Sequence, residues 1–194
     1  MVSKWYSLFS HTGSETLALS RSEYVYPRLE AVITNNVHYD GPLMHNGHRL
    51  YKVDTFAAVN KLLCRPDVVE DGSLVTLNGY MGIVPAWVLD NLKSRGCKVY
   101  NIHPAPIQTY PELRGKDPQE RMYEGIQTGR YKFIGVVIHE VDAGVDTGKI
   151  VHWALQIADP GISKAELYLR LHEMGTEAWE IFFRERMYEN GENC

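Results

Sequence analysis

The chain has 194 residues, 44% hydrophobic and 23% charged, which suits one globular domain with a sizeable core. Its net charge of −4 and pI near 6.1 exclude a general attraction to nucleic acid or to an anionic membrane surface. No stretch approaches the apolar length of a membrane span, MVSKWYSLFS lacks a signal-peptide hydrophobic region, and Cys64, Cys97 and Cys194 are scattered and odd in number, so a cytoplasmic protein is expected.

Residues 4–9 (KWYSLF) read as a first strand and 14–24 (SETLALSRSEY) as a helix with Ser14 as its N-cap. LEAVIT (29–34) is a second strand ended by Asn35 and Asn36. The following VHYDGPLMHNGH is irregular, broken by Gly41, Pro42 and Gly47. Residues 54–64 form a short helix and SLVTLN (73–78) a buried strand. PAWVLDNLKSRG places Pro85 in a first helical turn and Gly96 just past the end, with Lys93 and Arg95 in the last turn. CKVYNIH (97–103), FIGVVIHEV (133–141) and IVHWALQI (150–157) are further strands. Near the end, Ser163 and Glu166 make a capping box, and Leu167, Leu171, Met174, Ala178 and Ile181 mark one helical face. No repeat, linker or low-complexity segment interrupts the chain. The alternation predicts a single α/β domain over 1–194, its core at about 4–185, with a mainly parallel sheet flanked by helices.

Ligands of such sheets sit at the carboxyl ends of the strands. Side chains alternate along a strand, so Asn101 and His103 emerge on one face while Ile102 points to the other. An amide and an imidazole are thus presented together, though Asn101 can also tie down a turn and His103 can cap a helix. The loop in HEVDAGVDTGKI (139–150) holds Asp142 and Asp146 between glycines, and taken alone it reads as a solvated acidic loop with an Asx-turn. It lacks the further oxygen ligands and terminal glutamate of a calcium loop. His38, His45 and His48 lie in the irregular stretch without a supporting cysteine or carboxylate pattern, so no metal is expected.

NIHP, then RG, a helix, IGVVIH and a VDxGxI loop together resemble the folate-dependent formyltransferase family. LVTLNGYMGIVP (74–85) resembles its folate-site strand and loop, and HTGSETL (11–17) lies where its phosphate loop would be. Within the family the branch resembled is phosphoribosylglycinamide formyltransferase, because the histidine is followed by proline. The resemblance implies a Rossmann-like formyltransferase fold, transfer of a formyl group from 10-formyltetrahydrofolate to an amine, and a place in purine biosynthesis. It implies a catalytic trio of Asn101, His103 and Asp146, with His139 either orienting Asp146 or simply satisfied at its strand end. A tetrahedral intermediate with a negative oxygen suits an amide donor and a protonated imidazole, and a buried Asp146 with a raised pKa suits the proton transfer.

By the same resemblance the folate is held by Tyr80, Met81, Gly82, Ile83 and Val84 and by the backbone at Glu140, Val141, Asp142 and Ala143. Met81 and Ile83 read equally well as plain core residues. The acceptor is placed at Thr12, Gly13, Ser14 and Glu15 and at Glu177 on the final helix. Three residues depart from the pattern: Gly82 stands where a larger, often basic residue is usual, His11 where glycine is common, and Glu15 where asparagine would be. A carboxylate there opposes a bound phosphate unless it is turned away or paired. The expected partners are a reduced folate and a small amine, with no nucleic acid and no membrane, for a monomer or homodimer. Another amine, such as an amino sugar nucleotide, or a non-catalytic folate-binding protein of the same fold are the alternatives. A dinucleotide oxidoreductase is disfavoured because HTGSET lacks GxGxxG.

Overall fold

Short apolar runs bounded by turn residues become strands, and the amphipathic segments between them become helices. The computed structural model describes residues 4–45 and 47–189. In chain order the elements are β1 (Trp5–Phe9), α1 (Ser14–Arg21), β2 (Leu29–Thr34), β3 (Arg49–Lys52), α2 (Phe56–Leu63), β4 (Leu74–Leu77), α3 (Ala86–Ser94), β5 (Lys98–His103), α4 (Pro118–Gln127), β6 (Phe133–Glu140), β7 (Ile150–Ile157) and α5 (Lys164–Glu189). Short 3-10 turns occupy Pro42–His45 and Pro111–Leu113.

The strands form one sheet in the order β3-β2-β1-β4-β5-β6-β7. The first five are parallel, and β6 and β7 continue the sheet antiparallel. One face carries a core of Trp5, Leu74, Tyr100, Ile102 and Val136, packed under α4 and α5. On the opposite face Tyr6, Leu8, Val75 and Val99 meet Val59 and Leu63 of α2 and Val88 and Leu92 of α3. No helix among the described residues is long and apolar enough to cross a membrane.

Local details differ from the sequence expectations for physical reasons. Gly13, not Ser14, is the N-cap of α1. Its φ of 63° is left-handed, and a Cβ there would come within 2.8 Å of the Phe9 ring. The helix stops at Arg21 because Ser22 turns extended. Pro85 is likewise an N-cap with extended backbone. β3 is an additional four-residue edge strand whose Arg49 and Lys52 ends are exposed, a pattern too short and too polar to signal a strand locally. On α5 the buried face advances from Ala178 to Phe182, leaving Ile181 39% exposed. The capping box forms: Ser163 N donates to Glu166 Oε2 at 2.9 Å, and Glu166 N donates to Ser163 Oγ at 3.3 Å. Cys64 and Cys97 are free, and Cys194 lies outside the described residues.

Candidate active site

The chain leaves β1 toward β2 and β3, then returns to pair β4 on the other side of β1. The connections diverge at the carboxyl ends of β1, β4 and β5, and a cavity of about 610 Å³ opens there. That size suits a ligand larger than an amine alone.

β5 delivers two polar side chains to this cavity. Tyr100 and Ile102 fill the core beneath α5, so alternation sends Asn101 and His103 to the other face. β6 runs antiparallel beside it and sets His139 directly across from Asn101. The loop between β6 and β7 then brings in Asp146. Its Oδ2 accepts from His103 Nδ1 at 3.1 Å and from Gly115 N at 2.9 Å. Its Oδ1 faces His139 Nε2 at 3.3 Å and Asn101 Nδ2 at 3.4 Å. Four groups from three segments converge on one carboxylate.

The same cluster is braced from behind. His103 Nε2 faces the Leu113 carbonyl at 2.9 Å, and His139 Nδ1 faces the Glu140 carbonyl at 2.8 Å. A ring with both nitrogens on acceptor oxygens satisfies both contacts when it carries two N–H groups. Arg121 of α4 donates to the carbonyls of Glu112 (2.5 Å), Leu113 (3.2 Å) and Arg114 (2.7 Å), which fixes that acceptor loop. Arg114 Nε donates to the Asp146 carbonyl at 2.9 Å. Asp146 is thus gripped by side chain and backbone while its φ sits at 53°, a left-handed conformation that costs a non-glycine residue roughly 1 kcal/mol.

Burial pushes the Asp146 carboxyl up. Hydrogen bonds from His103 and His139, the charge of His103 and the Gly115 amide outweigh that push and hold it well below the usual carboxylate range. Burial alone predicts the opposite sign, so the raised Asp146 expected from the sequence is corrected here. A carboxylate held this low keeps its charge and is a weak proton acceptor.

Glu15 behaves in the reverse manner. It lines the cavity from α1, with its side chain 17% exposed. Burial raises its carboxyl to about 7, opposed only in part by the nearby Asn78 amide. His172 Nδ1 of α5 stands 3.8 Å away, beyond hydrogen-bond range. A Cβ built on Gly175 would lie 3.0 Å from Glu15 Oε1, so the carboxylate leans toward α5 and away from the Thr12–Ser14 turn. Thr12, Gly13 and Ser14 also line the cavity, where Thr12 Oγ1 donates to Ser14 Oγ at 3.2 Å.

Of the residues expected to hold a folate, Tyr80, Met81, Gly82, Ile83 and Val84 all line the cavity, as do Val141 and Asp142. Met81 and Ile83 are not core residues; they are 62% and 69% exposed at the lip. The Tyr80 hydroxyl is buried without a hydrogen-bond partner, and its pKa is pushed up to about 12 by burial. An unpaired hydroxyl beside Val84 and the apolar lip fits a flat heterocycle with polar edges. Gly82 leaves no room for a larger residue, since a Cβ there would meet Phe56 and Tyr80 within 2.7 Å.

Three expected positions lie elsewhere. Glu140 does not line the cavity, and its N–H is taken by Lys149 O while its carbonyl meets His139 Nδ1. Ala143 is exposed and Glu177 is exposed on α5, and neither lines the cavity, where α5 contributes Leu171, His172 and Gly175 instead. Asn78, Arg121 and His172 were not anticipated. Asn78 directly follows β4 as His103 ends β5, so the strand-end rule applied evenly reaches it. Among the described residues no group of three or more His, Cys, Asp or Glu side chains is placed to hold a metal ion.

A sequence model of the family described as Formyl transferase matches residues 67–180, more than half of the chain. The chain belongs to the formyltransferase family. Methionyl-tRNA formyltransferase of Verminephrobacter eiseniae (strain EF01-2) is 33% identical over 127 residues, covering 66% of this chain and 34% of that protein. Phosphoribosylglycinamide formyltransferase of Bacillus subtilis (strain 168) is 31% identical over 83 residues, covering 43% and 37%. The chain spans about a third of the length of these curated relatives. Among solved structures, a phosphoribosylglycinamide formyltransferase from Bacillus Halodurans gives a TM-score of 0.78 at 19% identity, with 95% of each chain covered. A formyltetrahydrofolate deformylase from Pseudomonas syringae pv. tomato str. DC3000 gives 0.77 at 18%, covering 97% of this chain and 62% of that one. Such structural likeness establishes the Rossmann-like formyltransferase fold and leaves the acceptor to the site itself.

Proposed function

We propose that this formyltransferase-family chain moves a formyl group from 10-formyltetrahydrofolate to an acceptor amine, with phosphoribosylglycinamide as the leading acceptor. The observation that carries the reading is the convergence of Asn101, His103 and His139 on Asp146 at the mouth of the strand-end cavity. Tyr80 and the Met81–Val84 lip would hold the folate rings, and no metal is called for.

In this reading Asn101 donates an N–H to the oxygen that becomes negative when the amine adds to the formyl carbon. Such a preorganised donor is worth about 3 to 4 kcal/mol in the transition state. His103 has both nitrogens turned onto protein oxygens, so it serves by charge and by holding Asp146. Asp146, permanently ionised, orients the proton that passes from the amine nitrogen to the departing folate nitrogen.

A second acceptor class is favoured by one observation: the phosphate-loop position that would carry an amide in the resembled branch carries the carboxylate of Glu15, turned toward α5. An amino sugar nucleotide then becomes a competing substrate. The deciding experiment is an amine-acceptor screen with 10-formyltetrahydrofolate, following tetrahydrofolate release spectroscopically. Formylation of phosphoribosylglycinamide above the other amines supports the leading acceptor. Donor binding with no release from any amine leaves the non-catalytic folate binder as the answer. The single-domain organisation and a cytoplasmic, monomeric or homodimeric state belong to the same proposal.

A further inference from the structure

The cavity has two walls of unequal chemistry. On the β5–β6 side the titratable groups are paired: Asp146 has four donors around it, and the two histidines are held at both nitrogens. On the α1–β4 side two buried polar groups are left short of partners. Glu15 is approached by the Asn78 amide alone, and Asn78 Nδ2, on a residue only 3% exposed, makes no hydrogen bond of full geometry. Asn78 Oδ1, by contrast, accepts from Ser7 Oγ at 3.1 Å, and Ser7 Oγ pairs with Thr16 Oγ1 at 2.7 Å. That chain of bonds fixes the amide with its N–H groups turned toward the cavity and the Glu15 carboxylate. A buried carboxylate and a buried amide donor left open cost free energy unless a ligand completes them.

Just past β4, Asn78 reaches Glu15 with a neutral amide, and α5 offers His172 at 3.8 Å and the backbone of Gly175. No lysine or arginine of the described residues forms an ion pair with it. The missing partner of this carboxylate is therefore a cation or a proton donor brought by a ligand.

Resting on the formyl-transfer reading above, we propose that Glu15 is the binding group and proton acceptor for the acceptor's primary amine, with Asn78 Nδ2 donating to an oxygen beside that amine. The step balances. The acceptor enters as an ammonium, Glu15 takes one proton, and the freed nitrogen lone pair forms the new C–N bond to the formyl carbon. The bond from that carbon to the folate nitrogen breaks, and one of the two protons left on the attacking nitrogen passes to the folate nitrogen past Asp146, while the other stays as the N–H of the formamide. Glu15 returns its proton to solvent. The division of labour follows from the two environments: Asp146 is held too low to accept a proton readily, whereas a carboxyl raised to about 7 is matched to that task. The site is thus selective for an amine on the α1 side, in place of an anion at the Thr12–Ser14 turn.

The test uses the full chain, wild type and Glu15→Gln, with 10-formyltetrahydrofolate and, separately, phosphoribosylglycinamide and an amino sugar nucleotide. With whichever amine is formylated, Glu15→Gln should raise KM and lower kcat/KM by on the order of 10- to 100-fold, the loss expected for one charge-assisted hydrogen bond. Donor affinity should stay within about twofold, because the carboxylate does not contribute to that wall. In wild type kcat/KM should climb with pH through about 7, and the variant should lose that acid limb. Glu15→Asp, which keeps the charge but withdraws it, should fall between the two. An unchanged amine KM with the acid limb intact in Glu15→Gln overturns the assignment. So does donor binding with formate release and no formylated amine, which makes water the acceptor. Absence of donor binding to wild type instead sinks the formyl-transfer reading beneath it.

Discussion

Asp146 and Glu15 are both carboxylates lining one cavity, and their neighbours drive them apart. Two imidazoles and a backbone N–H surround the first; the second meets an uncharged amide and bare helix backbone. Asp146→Asn removes the anion that holds His103, and His103→Ala removes an imidazole N–H that holds Asp146. Each should lower turnover by roughly 100-fold or more with the fold intact. Near-normal rates in either would remove that residue from the mechanism. Glu15 also marks the stability of the protein with pH. Its folded pKa is raised, so its contribution is complete below the unfolded value near 4.3 and is lost as pH rises through about 7. Glu15→Gln escapes that loss. The variant should gain on wild type by about 3 kcal/mol between pH 4 and pH 8, a difference that urea unfolding at the two pH values will read.

At the scale of elements, the β6–β7 hairpin is what carries Asp146 to β5. The hairpin closes where Glu140 N donates to Lys149 O at 2.9 Å, and Gly148 passes against the Glu140 carbonyl. A Cβ on Gly148 would lie 1.8 Å from that oxygen, and backbone cannot move aside as a side-chain tip can. Gly148→Ala should therefore cost about 1–3 kcal/mol in stability and displace Asp146 from His103. The expected signature is a lowered unfolding midpoint together with a kcat loss approaching that of Asp146→Asn. A fall in midpoint with kcat preserved would show that the loop holds Asp146 without help from the hairpin closure. α4 plays a comparable part at a distance, since Arg121 fixes the carbonyl that His103 leans on.

Across the whole molecule, two cores on opposite faces of the sheet hold the strand ends in register. α5 supplies much of the first through Leu171, Trp179, Phe182 and Phe183, and the same helix presents His172 and Gly175 to the cavity. Trp179 is fully buried, so Trp179→Ala should cost about 3–5 kcal/mol, a large part of an ordinary domain's stability. Its indole N–H, however, has no hydrogen-bond partner. Trp179→Phe removes that unsatisfied donor and should cost less than about 2 kcal/mol. Equal losses for the two substitutions would mean that the indole N–H is satisfied in solution and the ring is needed whole.

Features set by neighbours along the chain were legible in the sequence alone. Strand and helix alternation, the α5 capping box, and the common face of Asn101 and His103 all follow from periodicities of two and 3.6 residues, which any short segment displays. The family resemblance named Asp146 and His139 as well. What those residues do depended on contacts across 31 to 45 positions of chain, where Gly115 and Asn101 reach Asp146. Local spacing carries no record of such distances, so it could not reveal that Asp146 is lowered or that Glu15 leans toward α5. The register of the long α5 was decided the same way: a helix of 26 residues offers several apolar stripes, and only the sheet beneath it selects Leu171, His172 and Gly175 for the cavity in place of Glu177. A charge state is a property of everything within a few ångströms, and only folding brings those groups together.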